Sequence, residues 1–152
     1  MLERIAFIRD THYGAFWDFT SNMSSKDTAY TTLAIGSHND TTYFSDSCGL
    51  QMFHLLEHSN GTGGKSLLID GFAAAHELLA EDPRAYNVLA PVPIHSHASG
   101  NEGISIQPAS TLPVLVHDAR DGHLVQVRWN VADRASIDMP LEDVEEWYRA
   151  AR

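Results

Sequence analysis

Apolar positions in the first half of the chain come in short unbroken runs rather than at a helical period. "TTLAIGS" (31–37) has the length of a strand, as does "LQMFHLLEH" (50–58). The second run leads through the turn-like "SNGTGG" into "KSLLID", so a pair of strands is predicted there. From Gly71 the period changes. Phe72, Ala75, Leu78 and Leu79 recur at helical spacing, and Pro83 marks a stop or a new start. Shorter strands are predicted at "PVPIHSH", "GISIQ", "LPVLVHD" and "HLVQVRWN", with Asp121-Gly122 as a hairpin turn between the last two. The closing "PLEDVEEWYRAAR" reads as a helix, with Pro140 near its start and acidic residues in its first turns. Residues 3–9 fit a short helix or a strand. "DTHYGAFWDFT" reads as extended or looped, and "SNMSSKDTAY" as a polar loop.

These elements predict a mainly β fold with two flanking helical stretches. Val144, Trp147, Tyr148 and Ala151 give the last helix one apolar face. Nothing downstream can cover it, so it is expected to lie open.

The length of 152 residues suits one domain with a real core. The formal charge of −10, from 10 basic and 20 acidic residues, repels a phosphate backbone and excludes nucleic acid as a partner. No stretch is long and apolar enough for a membrane, and the N-terminus lacks a secretory pattern. A soluble, intracellular protein is expected. The lone Cys48 rules out an internal disulfide and a Cys-rich zinc site. The nine histidines are the metal-ligand reserve.

His38-Asn39-Asp40 is a His-X-Asp triplet. At a strand end, residues two apart point to the same side and can ligate one metal ion, as in non-haem ferrous oxygenases. Taken alone, the triplet is a weak signal, and a solvated loop is the better reading of it. Upstream lie Tyr13, Trp17 and Tyr30, with Asp27 just before the last of them. Three aromatic faces can box a quaternary ammonium ion, although the same spacing also suits core packing. Two other patterns compete. "SNGTGGKS" is one residue short of a phosphate-binding loop, with Ser59 where its first glycine belongs. His95 and His97 imitate a ligand pair in a polar stretch.

"YGAFWDFT", "DTAYTTLA", "HNDTTYFSDSCGLQMFHLLEH", "GTGGKSLLIDGF" and "VRWNVADRASI" together resemble consecutive blocks of the trimethyllysine and γ-butyrobetaine dioxygenases. Those enzymes are Fe(II)- and 2-oxoglutarate-dependent hydroxylases of carnitine biosynthesis. The resemblance runs over 3–152 and implies an incomplete double-stranded β-helix, the jelly roll of 2-oxoglutarate oxygenases. It implies Fe(II), 2-oxoglutarate and ascorbate, and a small-molecule substrate, Nε-trimethyllysine, hydroxylated at its β-carbon.

Residue by residue, the resemblance puts His38 and Asp40 on iron. Asn39, where the family usually has Thr, is expected to matter little. Tyr13, Trp17 and Tyr30 fall on the trimethylammonium cage, and Asp27 and Asn130 on the amino-acid end of the substrate. Ser66 falls where a hydroxyl holds the far carboxylate of 2-oxoglutarate. A carboxylate at position 27 suits an α-ammonium group, so trimethyllysine is favoured over γ-butyrobetaine. The family's second iron histidine and its 2-oxoglutarate arginine have no counterpart here. The expectation is therefore a fragment lacking the N-terminal domain and the end of the catalytic domain. Such a chain would be inactive alone, or would be a truncated paralogue that binds trimethylammonium ligands or a full-length partner. It is expected to associate through an open sheet edge, and to reside in the cytoplasm or mitochondria.

Overall fold

The computed structural model describes residues 1–25, 27–59, 61–100 and 103–152. A packed body is formed by the second half of the chain. Helix α1 (Gly71–Glu81) starts at Asp70, whose carboxylate accepts from the N–H groups of Phe72 and Ala73, both at 3.0 Å. Asp82 ends α1 and caps α2 (Pro83–Leu89) by accepting from Ala85 N–H, with Pro83 at the first helical position. Pro83 thus acts as both stop and new start.

Two small antiparallel sheets follow. β1 (Ala98–Ser99) pairs with β2 (Ser105–Ile106), and β3 (Leu115–His117) pairs with β4 (Leu124–Val127). The second pair is the predicted hairpin. Gly122 takes φ +73, which the turn requires, and its N–H donates to Asp118 O. Gly71 matters for packing, because a Cβ there would come within 3.3 Å of Val127 and hold α1 off β4.

Helix α3 (Leu141–Ala150) closes the body. Contrary to expectation, its apolar face is covered from within. Trp147 is fully buried, in one cluster with Ala75 of α1, Tyr86 and Leu89 of α2, and Ile94, Val114 and Leu115. The partner of α3 is α2, which precedes it in the chain, while Tyr148 on the same face stays 39% exposed. The Arg134 guanidinium lies 5.5 Å over the Trp147 ring and 5.0 Å over Tyr148.

The first half departs from the predicted strands. Residues 31–37 are bends and irregular chain, and the described part of 50–70 forms no helix or strand. The turn expected at 59–64 includes Asn60, which lies outside the described residues. Leu50, Phe53, Leu67 and Leu68 are all at least 67% exposed. A strand needs a neighbour for its backbone and cover for its side chains, and the described residues supply neither. Among them there is no closed barrel, only the two two-stranded sheets. Helix α1 begins five residues after Ser66, so no phosphate-binding loop forms.

Candidate functional site

The His-X-Asp triplet lies not at a strand end but in a loop that leads into a turn at 40–43. Its two outer side chains still converge, with His38 Nε2 3.3 Å from Asp40 Oδ1. The other ring nitrogen, Nδ1, is 2.7 Å from Gly36 O. A carbonyl only accepts, so Nδ1 carries the proton, and in the neutral ring Nε2 presents a lone pair to the carboxylate. In that form the two facing acceptors can share a cation, and with both ring nitrogens protonated His38 donates to Asp40 directly. Adjacent ligands on an octahedral ion with bonds of ~2.1 Å stand about 3 Å apart. The pair therefore fits two neighbouring positions around one ion. Among the described residues no group of three or more His, Cys, Asp or Glu side chains gathers around a common metal position.

What holds the triplet is its middle residue together with the end of β4. Asn39 N–H donates to Trp129 O at 2.7 Å, and Trp129 N–H donates to Asn39 Oδ1 at 2.8 Å. Asn130 Nδ2 reaches Asn39 O at 3.2 Å. The Asn39 side chain is turned to the body, where it is bonded to Trp129.

Just beyond, Thr41 takes φ 59, unusual for a β-branched residue, and its hydroxyl accepts from Cys48 N–H at 3.0 Å. The turn is clasped by Arg128, which is buried. Its guanidinium donates to Thr42 O, to Phe44 O at 2.8 Å and to Ser47 Oγ at 3.0 Å. Burial holds its pKa below the ordinary value. Beneath the turn a cavity of about 20 Å³ is lined by Thr42, Ser96, Arg128, Asn130 and Arg134, among others. It has room for one water.

Asn130 does not stand apart at a distal substrate end. Its Nδ2 also donates to Asp133 Oδ2 at 2.8 Å, and its Oδ1 accepts from the N–H groups of Ala132 and Asp133. The amide is spent on organising its own loop beside the triplet. The carboxyl of Asp133 is pushed up to about 6, first by burial and then by the charge of Asp40, with Asp27 adding and His97 and His38 opposing. His97 N–H donates to Asp133 O at 2.8 Å, which brings the "HSH" stretch to the edge of the site.

Tyr13, Trp17 and Tyr30 do come together. Tyr13 stacks on Trp17 with centroids 4.4 Å apart, and Trp17 meets Tyr30 edge-on at 5.5 Å. Trp17 Nε1–H donates to Tyr30 OH at 2.8 Å. Asp27 caps the short 3-10 turn Thr28–Tyr30 by accepting from Ala29 N–H, and accepts from Tyr13 OH at 3.2 Å. Burial, then the charge of Asp27, raises the Tyr13 phenol well above its ordinary range. His12 packs against Tyr13 at 4.1 Å, and burial lowers its pKa against the pull of Asp27. The rings close on one another rather than around a shared space. Ser66 is exposed, and among the described residues no hydrogen bond joins it to the triplet.

Sequence reading missed Arg128, Asp133 and the anchoring role of Asn39. A signal existed for the first: an arginine continuing the alternation "LVQV" sits where a strand turns inward, and a buried cation must be fully bonded.

An imidazole and a carboxylate brought together two residues apart, as in His38 and Asp40, are the kind of pair that metal-dependent oxygenases use. The family described as "Taurine catabolism dioxygenase TauD, TfdA family" matches residues 2–152, and the chain belongs to it. That family has the 2-oxoglutarate oxygenase jelly-roll fold, and its members in general use Fe(II) and 2-oxoglutarate. Trimethyllysine dioxygenase of Neurospora crassa is 46% identical over 185 residues, covering all of this chain and 39% of that protein. The mitochondrial trimethyllysine dioxygenase of Homo sapiens is 43% identical over 154 residues, again all of this chain but 36% of its own length. Gamma-butyrobetaine dioxygenase of Pseudomonas sp. (strain AK-1) is more distant, 31% identical over 152 residues and 38% of its length. The chain thus spans well under half of each relative. No helix among the described residues is long and apolar enough to cross a membrane.

Proposed function

We propose that residues 3–152 are part of the catalytic domain, carrying two of its iron ligands, of a hydroxylase that converts Nε-trimethyllysine to 3-hydroxy-Nε-trimethyllysine in carnitine biosynthesis. The observation that carries the reading is the convergence of His38 Nε2 and Asp40 Oδ1 at 3.3 Å, with Gly36 O fixing the ring so that Nε2 is free to ligate. Fe(II) with 2-oxoglutarate supplies the O₂ chemistry that oxidises an unactivated C–H bond, and ascorbate keeps the iron reduced.

The residues of the chain do the placing. His38 and Asp40 hold the ion. Tyr13, Trp17 and Tyr30 offer π-faces to the trimethylammonium head, while Asp27 serves the amino-acid end and Asn130 reaches it by giving up its bond to Asp133. The Ser66 hydroxyl donates to the far carboxylate of 2-oxoglutarate. Asp27 favours a substrate bearing an α-ammonium over γ-butyrobetaine, which has only a carboxylate at that end. The relatives from Gallus gallus and Homo sapiens named mitochondrial support a mitochondrial setting.

The test is a chimera in which this chain replaces the matched segment of the Neurospora enzyme, assayed for hydroxytrimethyllysine by mass spectrometry. Product is expected, and His38→Ala should remove it. Trp17→Ala should weaken trimethyllysine far more than 2-oxoglutarate, and Asp27→Asn should shift preference towards γ-butyrobetaine. A folded chimera that binds 2-oxoglutarate but makes no product would overturn the reading.

A further inference from the structure

Trp17 is covered on both faces. Tyr13 stacks on one at 4.4 Å with planes 19° apart, and Phe19 stacks on the other at 4.7 Å and 29°. Phe19 also meets Tyr30 edge-on at 5.7 Å and 85°, while Tyr30 stands at 71° to Trp17. Trp17 and Tyr30, tied by their hydrogen bond, form two walls of a corner, and Phe19 sits in it.

A quaternary ammonium ion on a ring face lies within about 6 Å of the centroid. Phe19 takes that position on Trp17, and Tyr13 takes the position opposite. The two differ in how they are held. The Tyr13 hydroxyl is bonded to Asp27, and its ring is backed by His12 at 4.1 Å. Phe19 has no polar atom to tether it and is 43% exposed.

We propose that Phe19 is an affinity-setting plug: it fills the Trp17–Tyr30 corner in place of a quaternary ammonium group and swings into solvent when the cation enters. This rests on the Trp17–Tyr30 part of the cage reading. The exchange is selective for a cation. A phenyl ring gains only aromatic packing in the corner, whereas a cation gains the ring quadrupoles of both walls. A neutral group of the same shape gains no such advantage and leaves Phe19 in place. Phe19 thus sets both how tightly a trimethylammonium ligand binds and how well neutral competitors are rejected.

The test uses the full chain and tetramethylammonium as probe, with tert-butanol as a neutral counterpart, by NMR titration. In the parent protein the Phe19 ring protons, shielded by Trp17, should move towards solvent-exposed shifts as tetramethylammonium is added, and should stay put with tert-butanol. Phe19→Ala should tighten tetramethylammonium by about threefold to tenfold, the equivalent of one aromatic pair. Phe19→Leu should tighten it less. Circular dichroism checks that both variants keep the fold. Unmoved Phe19 resonances at saturation, or unchanged affinity in Phe19→Ala while Trp17→Ala abolishes binding, would overturn the plug and leave the cage standing. Unchanged affinity in Trp17→Ala would overturn the cage, and the plug with it.

Discussion

The Asn39 side-chain oxygen accepts the backbone N–H of Trp129 at 2.8 Å, while the Trp129 carbonyl accepts the Asn39 N–H at 2.7 Å. A loop residue thereby extends β4 by one ladder-like step, and the flanking His38 and Asp40 are thrown to the same side. The i, i+2 geometry that a strand would supply comes here from one asparagine.

Asn39→Ala should therefore weaken metal binding without touching a ligand. Loss of an orienting bond of this kind costs about tenfold to a hundredfold in metal affinity, and the lost hydrogen bond about 1 kcal/mol of stability. Mn(II) titration followed by electron paramagnetic resonance, with urea denaturation alongside, measures both. Affinity equal to the parent would show that the triplet is held some other way.

Arg128 should be irreplaceable even by another cation. Its planar fork spans Thr42 O, Phe44 O and Ser47 Oγ, and a lysine ammonium cannot reach all three. Arg128→Lys is expected to destabilise by roughly 2–3 kcal/mol, the range for lost bonds to a charged donor. A shift in urea midpoint equivalent to less than about 0.5 kcal/mol would contradict the clasp.

Trp147 supplies the largest buried side chain, yet its Nε1 has no hydrogen-bond partner among the described residues. Truncation and isosteric relief should separate. Trp147→Ala should cost about 3–5 kcal/mol through the cavity it leaves. Trp147→Phe should cost under about 1.5 kcal/mol, since it removes the orphaned N–H along with some volume. Equal losses in chemical denaturation would mean that the indole nitrogen is satisfied after all.

Asp133 should make stability fall as pH rises through mild acidity. Its folded-state acid sits at about 6 against an ordinary 3.8, because of burial and the charge of Asp40. Between those values the native state binds more protons than the unfolded chain, so this contribution is complete below about pH 4 and is lost as pH rises past about 6. Asp133→Asn should match the parent at pH 4 and exceed it at pH 7, with metal removed by chelator. Parallel stability profiles for the two proteins would rule this out.

Locally encoded features were legible in the chain. Helix α1 announces itself by its period, the break before α2 by Pro83, and the β3–β4 hairpin by Asp121-Gly122. Capping and turn chemistry act over a few residues, so sequence reports them directly. His38 and Asp40 were legible for the same reason, since their spacing is two residues.

What only the tertiary structure decided are the pairings over long separations. No periodicity reveals that Trp147 is covered by α2, that Asn39 is anchored to Trp129, or that Arg128 clasps residues 42–47 from more than eighty positions away. The strands expected over 31–37 and 50–70 did not form because strand character depends on a neighbouring backbone, which no local pattern can supply. The aromatic cluster shows the same division. Composition placed Tyr13, Trp17 and Tyr30 within reach of one another, but whether their faces stay open to a cation depends on Phe19. That ring stacks on Trp17 from two residues away, where only the fold of the loop could bring it.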